Sequence, residues 1–170
     1  MDARERYLQE VYEAAVDTEM NYYGCSQAVL AALRDKTGVV SDEVLKAGSA
    51  LAAGVARRGE TCGALLGAIM AIGSLMGREK LDDFDQYVKA MGPSNQVYER
   101  FREKIGHSIC AEIQKIIFGR SFRVYIPEER EAFIEAGAHN RETCPEVCGV
   151  AARLAAEIIW DYQHDQDHSQ

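Results

Sequence analysis

A chain of 170 residues, 47% of them apolar, is long enough to bury a full core as one domain without disulfide staples. Its formal charge of −8 and the scattering of its basic residues leave no cationic face for a polyanion, which argues against a nucleic-acid partner. The run from Met1 to Tyr7 alternates charge and has no apolar h-region, so secretion by a signal peptide is not expected and the cytoplasm is the expected compartment.

The chain reads as helical nearly throughout: a single all-α bundle of about six to seven helices over residues 1–163, followed by a polar tail, 164–170. The spacing of Tyr7, Leu8, Val11, Tyr12 and Ala15 predicts an amphipathic helix from Ala3 to about Glu19. Asn21-Tyr22-Tyr23-Gly24 breaks that pattern. A second helix is expected from about Cys25 to Arg34, apolar on Ala28, Val29, Ala32 and Leu33, ending near Gly38. Ser41 is placed to cap a third, with Asp42 and Glu43 in its first turn, running to about Ala53. Gly54 to Gly59 reads as a flexible, basic connection. The segment from Cys62 to Gly77 carries no charge, yet it falls short of the roughly 20 apolar residues a membrane span requires. It is predicted as a buried central helix, with Gly63, Ala64, Gly67, Ala68 and Ala71 allowing neighbouring helices to approach closely.

Beyond Gly77 the sequence turns polar. Asp82-Asp83-Phe84-Asp85 lacks the glycine and terminal glutamate of a calcium loop and reads as a solvated helix start. Met91-Gly92-Pro93-Ser94 reads as a turn ahead of a helix through Val97, Phe101 and Ile105. Gly106 is expected to kink that helix without ending it, so that Ile109, Ile113, Ile116 and Ile117 continue its stripe and Cys110 lies mid-helix. Gly119 to Pro127 is β-like in composition but has no partner strand, and is expected to be a loop. Pro127 starts a short helix ending near Gly137. Thr143-Cys144-Pro145-Glu146 starts the last helix, through Val150, Leu154, Ile158 and Ile159. The stretch after Trp160, with His164 and His168, is expected to fray.

Five cysteines in such a chain call for an explanation in chemistry. Cys25, Cys62 and Cys144 each fall at a predicted helix start, where unpaired N–H groups and the positive end of the macrodipole favour the thiolate. Cys62 is the foremost candidate nucleophile: Thr61 or Glu60 can cap its helix, Gly63 leaves room for a partner sulfur, and Arg57 and Arg58 lie just upstream. Cys25, also at the head of an amphipathic helix, is its natural resolving partner. Cys110 follows His107 by three residues, which would set a thiol beside a basic neighbour on a continuous helix, although a histidine there more often serves as a cap. Cys144 and Cys148 are one turn apart and share a face; Cys148 is the cysteine left outside the working set. His139 joins a site only if its loop folds back, loop histidines being usually solvated.

The stretch Gly59-Glu60-Thr61-Cys62-Gly63-Ala64-Leu65-Leu66-Gly67, with Cys25 upstream and Cys110 and Cys144 downstream, resembles the C_GCAxxG_C_C family of redox-active proteins. Gly24-Cys25-Ser26-Gln27-Ala28-Val29 resembles the family's first cysteine helix, Ser108-Ile109-Cys110 its third cysteine site, and Cys144-Pro145 its fourth. The resemblance implies a small helical protein with redox activity through Cys25, Cys62, Cys110 and Cys144. Two departures stand out: Cys148 is an extra cysteine, and the connection before Gly59 is poor in glycine.

Three functions draw on these residues. The first is thiol–disulfide exchange, centred on Cys62 with Cys25, toward a redox partner protein or a small thiol. The second is binding of an iron–sulfur cluster or another metal by Cys25, Cys62, Cys110 and Cys144, although no Cys-x-x-Cys is present. The third is a helical interaction module whose cysteines merely pack. A homodimer is compatible with each.

Overall fold

The computed structural model describes residues 1–167 and is all-α. Eight α-helices appear among the described residues: α1 (Ala3–Tyr22), α2 (Cys25–Thr37), α3 (Asp42–Ala47), α4 (Gly63–Met76), α5 (Phe84–Ile105), α6 (Cys110–Phe118), α7 (Pro127–Glu135) and α8 (Cys144–Asp167). None is long and apolar enough to cross a membrane. Helices α1, α2, α4 and α8 pack on one another as a four-helix core, and α5 lies across α4 and α8. Leu8, Val11, Leu30, Leu33, Leu65, Ile72, Phe101, Leu154 and Ile159 fill the main hydrophobic cluster.

Local chemistry sets the boundaries. Asp2 caps α1 by accepting from the Glu5 N–H at 2.8 Å, Ser41 caps α3 through Val44, and Asp83 caps α5 through Gln86. Gly38, in the left-handed conformation, closes α2 through a bond to the Arg34 carbonyl. The small residues of α4 let α2 approach closely, as the spacing predicts: a Cβ on Gly67 would sit 2.6 Å from the Ser26 carbonyl, and one on Gly63 would sit 2.6 Å from Cys25 Sγ. The Ser26 hydroxyl donates to the Gly48 carbonyl at 2.7 Å and ties α2 to the 3₁₀ turn at Gly48–Leu51.

The helices depart from the sequence-based expectations at four places. Helix α5 runs straight through Pro93, with no turn at Met91–Ser94. The carbonyl that Pro93 cannot satisfy belongs to Lys89, which is exposed and can bond water instead. Gly106 does end α5: it adopts φ 97° and its N–H bonds the Arg102 carbonyl, so Cys110 opens a new helix. The third helix stops at Ala47 rather than near Ala53. Helix α8 continues beyond Trp160 to Asp167, with His164 stacked on the Trp160 ring at 3.9 Å; His168 lies outside the described residues. The stretch from Gly119 to Ile126 is a loop, as expected, with Phe122 and Val124 buried and Tyr125 exposed. Phe122 and Val124 join Phe133 and Ala138 in a second, smaller cluster, to which Phe118 and Cys144 add. This annex, built from α6, the loop and α7, sits beside the main core.

The supposedly flexible connection is a tight left-handed turn. Ala53, Gly54, Val55, Ala56 and Arg57 all have φ between 51° and 74°. Its amides are engaged: Ala56 N–H bonds the Ala50 carbonyl at 2.8 Å, Arg57 that of Ala52, and Gly59 that of Ala53. Four of those residues carry a Cβ, each costing about 1–2 kcal/mol in this region, so the surrounding bonds must hold the turn. Gly54 cannot be replaced, since a Cβ there would meet Glu60 N at 2.5 Å and Cys110 Cβ at 2.7 Å.

Two substitutions on α4 separate packing from helix propensity. Gly73 is exposed with nothing within 4 Å of an added Cβ, so Gly73→Ala should stabilise by about 0.5–1 kcal/mol. Gly63→Ala should instead destabilise by about 1–3 kcal/mol through its contact with Cys25 Sγ. Urea unfolding of both variants reads the opposite signs. In the left-handed turn, Val55→Gly should raise the unfolding midpoint by up to about 1 kcal/mol equivalent, because relief of strain exceeds the entropy glycine adds to the unfolded chain.

Candidate functional site: a thiol-lined cavity between two cores

The short segments 59–62 and 108–111 pair in antiparallel fashion. Cys62 N–H bonds the Ser108 carbonyl at 2.8 Å, Cys110 N–H bonds the Glu60 carbonyl at 2.7 Å, and Ala111 N–H bonds the Gly59 carbonyl at 2.9 Å. Thr61 and Ile109 form the single β-bridge among the described residues. Each cysteine thus sits one residue beyond the bridged pair, and α4 and α6 begin side by side. His107 contributes to this linkage rather than to Cys110: its Nδ1 accepts from the Ile109 N–H at 3.0 Å.

Cys25, Cys110 and Cys144 are the first residues of α2, α6 and α8, and Cys62 is the cap residue of α4. Thr61 and Glu60 are therefore not the cap. All four line one cavity of about 180 Å³ at the seam between the main core and the annex. Glu19, Tyr23 and Val147 line it from the bundle side, Ile113, Gln114, Val124 and Phe133 from the annex side, and His139 from the loop before α8. Arg57 and Arg130 also reach it, whereas Arg58 lies over the Tyr125 ring at 4.2 Å. All five cysteines are free thiols. Cys148 does not line the cavity; it is fully buried in the main core, its Sγ 3.7 Å from the Cys25 carbonyl. Among the described residues, no three His, Cys, Asp or Glu side chains come together as a group that could hold a metal ion.

The electrostatics reverse the simple helix-terminus argument. Burial pushes the Cys62 thiol up to about 12, with Cys110 adding to the rise, while the Leu65 and Ala64 amides pull the other way without prevailing. Cys110 is likewise pushed up to about 12, by burial and then by Cys25, against a favourable hydrogen bond from Gln114. Burial also raises Cys25, followed by the proximity of Cys62, with the Ala53 amide of the left-handed turn opposing. Cys144 and Cys148 move the same way for the same first reason. Desolvation outweighs the helix ends because each sulfur is surrounded by apolar side chains and by other sulfurs whose charges would repel its own. At neutral pH the cavity holds thiols, not thiolates.

Two polar residues of the cavity, Gln114 and Glu19, were not candidates from sequence, and a third, His139, was expected there only on condition that its loop folds back. Gln114 is 2% exposed; its amide donates to Cys110 Sγ at 3.4 Å and its Oε1 accepts from the Phe122 N–H at 2.7 Å, which fixes its orientation. It lies one turn after Cys110, a spacing that means something only once Cys110 is known to open a helix. Glu19 is 3% exposed and sits on the apolar stripe of α1 with Leu8, Val11 and Ala15. A carboxylate on that stripe was the available signal. His139 Nδ1 lies 3.2 Å from Glu19 Oε1, and its ring stacks on Tyr23 at 3.9 Å. Its loop does fold back, which nothing local in the sequence announces.

No curated protein and no solved structure matches this chain. A family model does: "Putative redox-active protein (C_GCAxxG_C_C)", matched over residues 23–158, which takes in all the helix-start cysteines of the cavity. On that match the chain belongs to the C_GCAxxG_C_C family.

Proposed function

We propose that this protein is a thiol–disulfide redox protein whose exchanging pair is Cys62 and Cys25, with Cys110 and Cys144 as the remaining thiols of the same cavity. The observation that carries this reading is the convergence of four helix-start cysteines on one enclosed space. Cys25 Sγ packs against Gly63, the residue after Cys62, in space that any side chain at 63 would fill. The reaction needs only pairwise approach of sulfurs. Two thiols give up two protons and two electrons, one S–S bond forms, and a disulfide acceptor is cleaved to two thiols. The cavity volume suits a small disulfide, or the tip of a partner's chain, better than a flat protein surface.

Burial also accounts for a protein that stores its reducing equivalents. With its proton affinity raised by burial, Cys62 carries far less thiolate at neutral pH than an ordinary thiol, which slows adventitious oxidation. Oxidation to a neutral disulfide removes the cost of ionising sulfurs in an apolar space.

Counting free thiols in denatured samples after incubation with oxidised or reduced dithiothreitol tests the pair. Wild-type protein should lose two thiols on oxidation, Cys25→Ser and Cys62→Ser should each abolish that loss, and Cys148→Ser should leave it intact; equal counts in both states would overturn the reading. A second test follows from linkage. The folded state holds its thiol protons more tightly than the unfolded chain, so this contribution to stability is complete below the ordinary thiol range. It is lost as pH rises toward about 12. The melting temperature of reduced protein should therefore fall above about pH 9, and fall less steeply once oxidised, since a disulfide has no proton to lose.

A further inference from the structure

Glu19 is the only buried carboxylate among the described residues. It occupies the last turn of α1, where the negative end of the macrodipole disfavours it and no basic residue of that turn compensates. One oxygen, Oε1, faces His139 Nδ1 at 3.2 Å; the other, Oε2, is buried with no hydrogen-bond partner. A leucine would fill that place on the stripe at lower cost, so packing does not explain it. The unpartnered oxygen belongs to a side chain that lines the cavity with Cys25, Cys62, Cys110 and Cys144.

We propose that Glu19 accepts and returns the protons of the cavity thiols during exchange, with His139 holding its carboxyl in place. This rests on the thiol–disulfide reading above. The buried thiols are protonated, so attack requires a base inside the cavity, and Glu19 is the carboxylate available there. With Nδ1 protonated, His139 donates to Oε1 and leaves Oε2 as the acceptor. Its side chain is 19% exposed, which connects the pair to water. In the first step the attacking thiol passes its proton to Glu19 as its sulfur bonds to one sulfur of a small disulfide. The acceptor's S–S bond breaks, and the departing sulfur takes the proton from Glu19. The second cavity thiol then attacks the mixed disulfide, again through Glu19, releasing the second small thiol. Two protons and two electrons have moved from the protein pair to the acceptor, and Glu19 is restored.

The titratable and charged groups around Glu19 are Tyr23 at the end of α1, Cys25 of α2, Arg57 of the left-handed turn, Cys62 at the head of α4, Cys110 of α6, Arg130 of α7, His139, and Cys144 and Cys148 of α8. Burial holds the Glu19 carboxyl above the ordinary carboxylate range, with His139 pulling it back. That direction moves it toward the pH where a base is useful.

The test uses reduced full-length protein and 2-hydroxyethyl disulfide, a neutral acceptor, with disulfide formation followed by mass spectrometry between about pH 5 and pH 10. Wild-type rates should rise through an inflection on the acid side of the thiol range. Glu19→Gln should remove that inflection, slow oxidation at neutral pH by about a hundredfold, and converge with wild type at the alkaline end, where hydroxide replaces the base. His139→Gln should shift the inflection while keeping it. An unchanged profile in Glu19→Gln, or a uniform loss across the whole pH range, would overturn the proposal. Should that variant not fold, the infrared carbonyl band of protonated Glu19 in wild-type protein must vanish over the same interval as the kinetic inflection, and its absence overturns the assignment equally. If the thiol counts above show no pair at all, the redox reading itself fails; if the pair forms and Glu19→Gln behaves as wild type, only the role of Glu19 does.

Discussion

The backbone hydrogen bonds between residues 59–62 and 108–111 are the constraint on which the rest of the site depends. They join two segments far apart in the chain, at the points where α4 and α6 begin, and so bring the Cys62 and Cys110 helix ends to one place. The left-handed turn before them exists to deliver residue 59 to that pairing: its amides reach back to Ala50, Ala52 and Ala53, and Gly54 lets Glu60 and Cys110 close over it. Gly106 ends α5 on the other side so that Ser108 can meet Cys62. A bundle of the same helices without this linkage would still bury its leucines, but the sulfurs would not converge.

Four helix N-termini directed at one space would ordinarily make an anion site. Here the positive ends meet sulfurs that burial keeps neutral, and the two effects oppose each other at every cysteine. The result is a set of thiols that burial keeps in their neutral form, yet whose thiolates would find amide groups already in position. Gln114, locked by Phe122 on one side and donating to Cys110 on the other, is arranged in the same sense. A carboxyl with an unsatisfied oxygen in the same cavity is consistent with a site that must move protons rather than store charge.

Much of this was legible in the sequence where local signals decide. Ser41, Gly38 and Pro127 mark helix ends by their own chemistry, and the structure places ends there. Cys25, Cys62 and Cys144 could be assigned to helix starts because turn residues precede each. Cys110 could not, since a glycine within an apolar stripe reads as a kink, and only pairing with a remote segment makes Gly106 a terminus. Pro93 misled in the opposite direction: a strong local breaker was overridden by an exposed position at which water takes the lost hydrogen bond. The thiolate bias expected at helix starts was a correct local argument defeated by desolvation, which is a property of the folded whole. Glu19 and His139 are 120 positions apart, and nothing short of the tertiary structure puts them together.

The annex has a further consequence. It begins at Cys110, the first residue of α6, and runs to Cys144, the first residue of α8, with its small core between them. Ile113 and Ile117 of α6 also pack into the main core, so the annex is held to the bundle from its first turns. Two of the four cavity thiols therefore mark the ends of one segment, and the chain returns those two boundary points to the space that the segment itself helps to line.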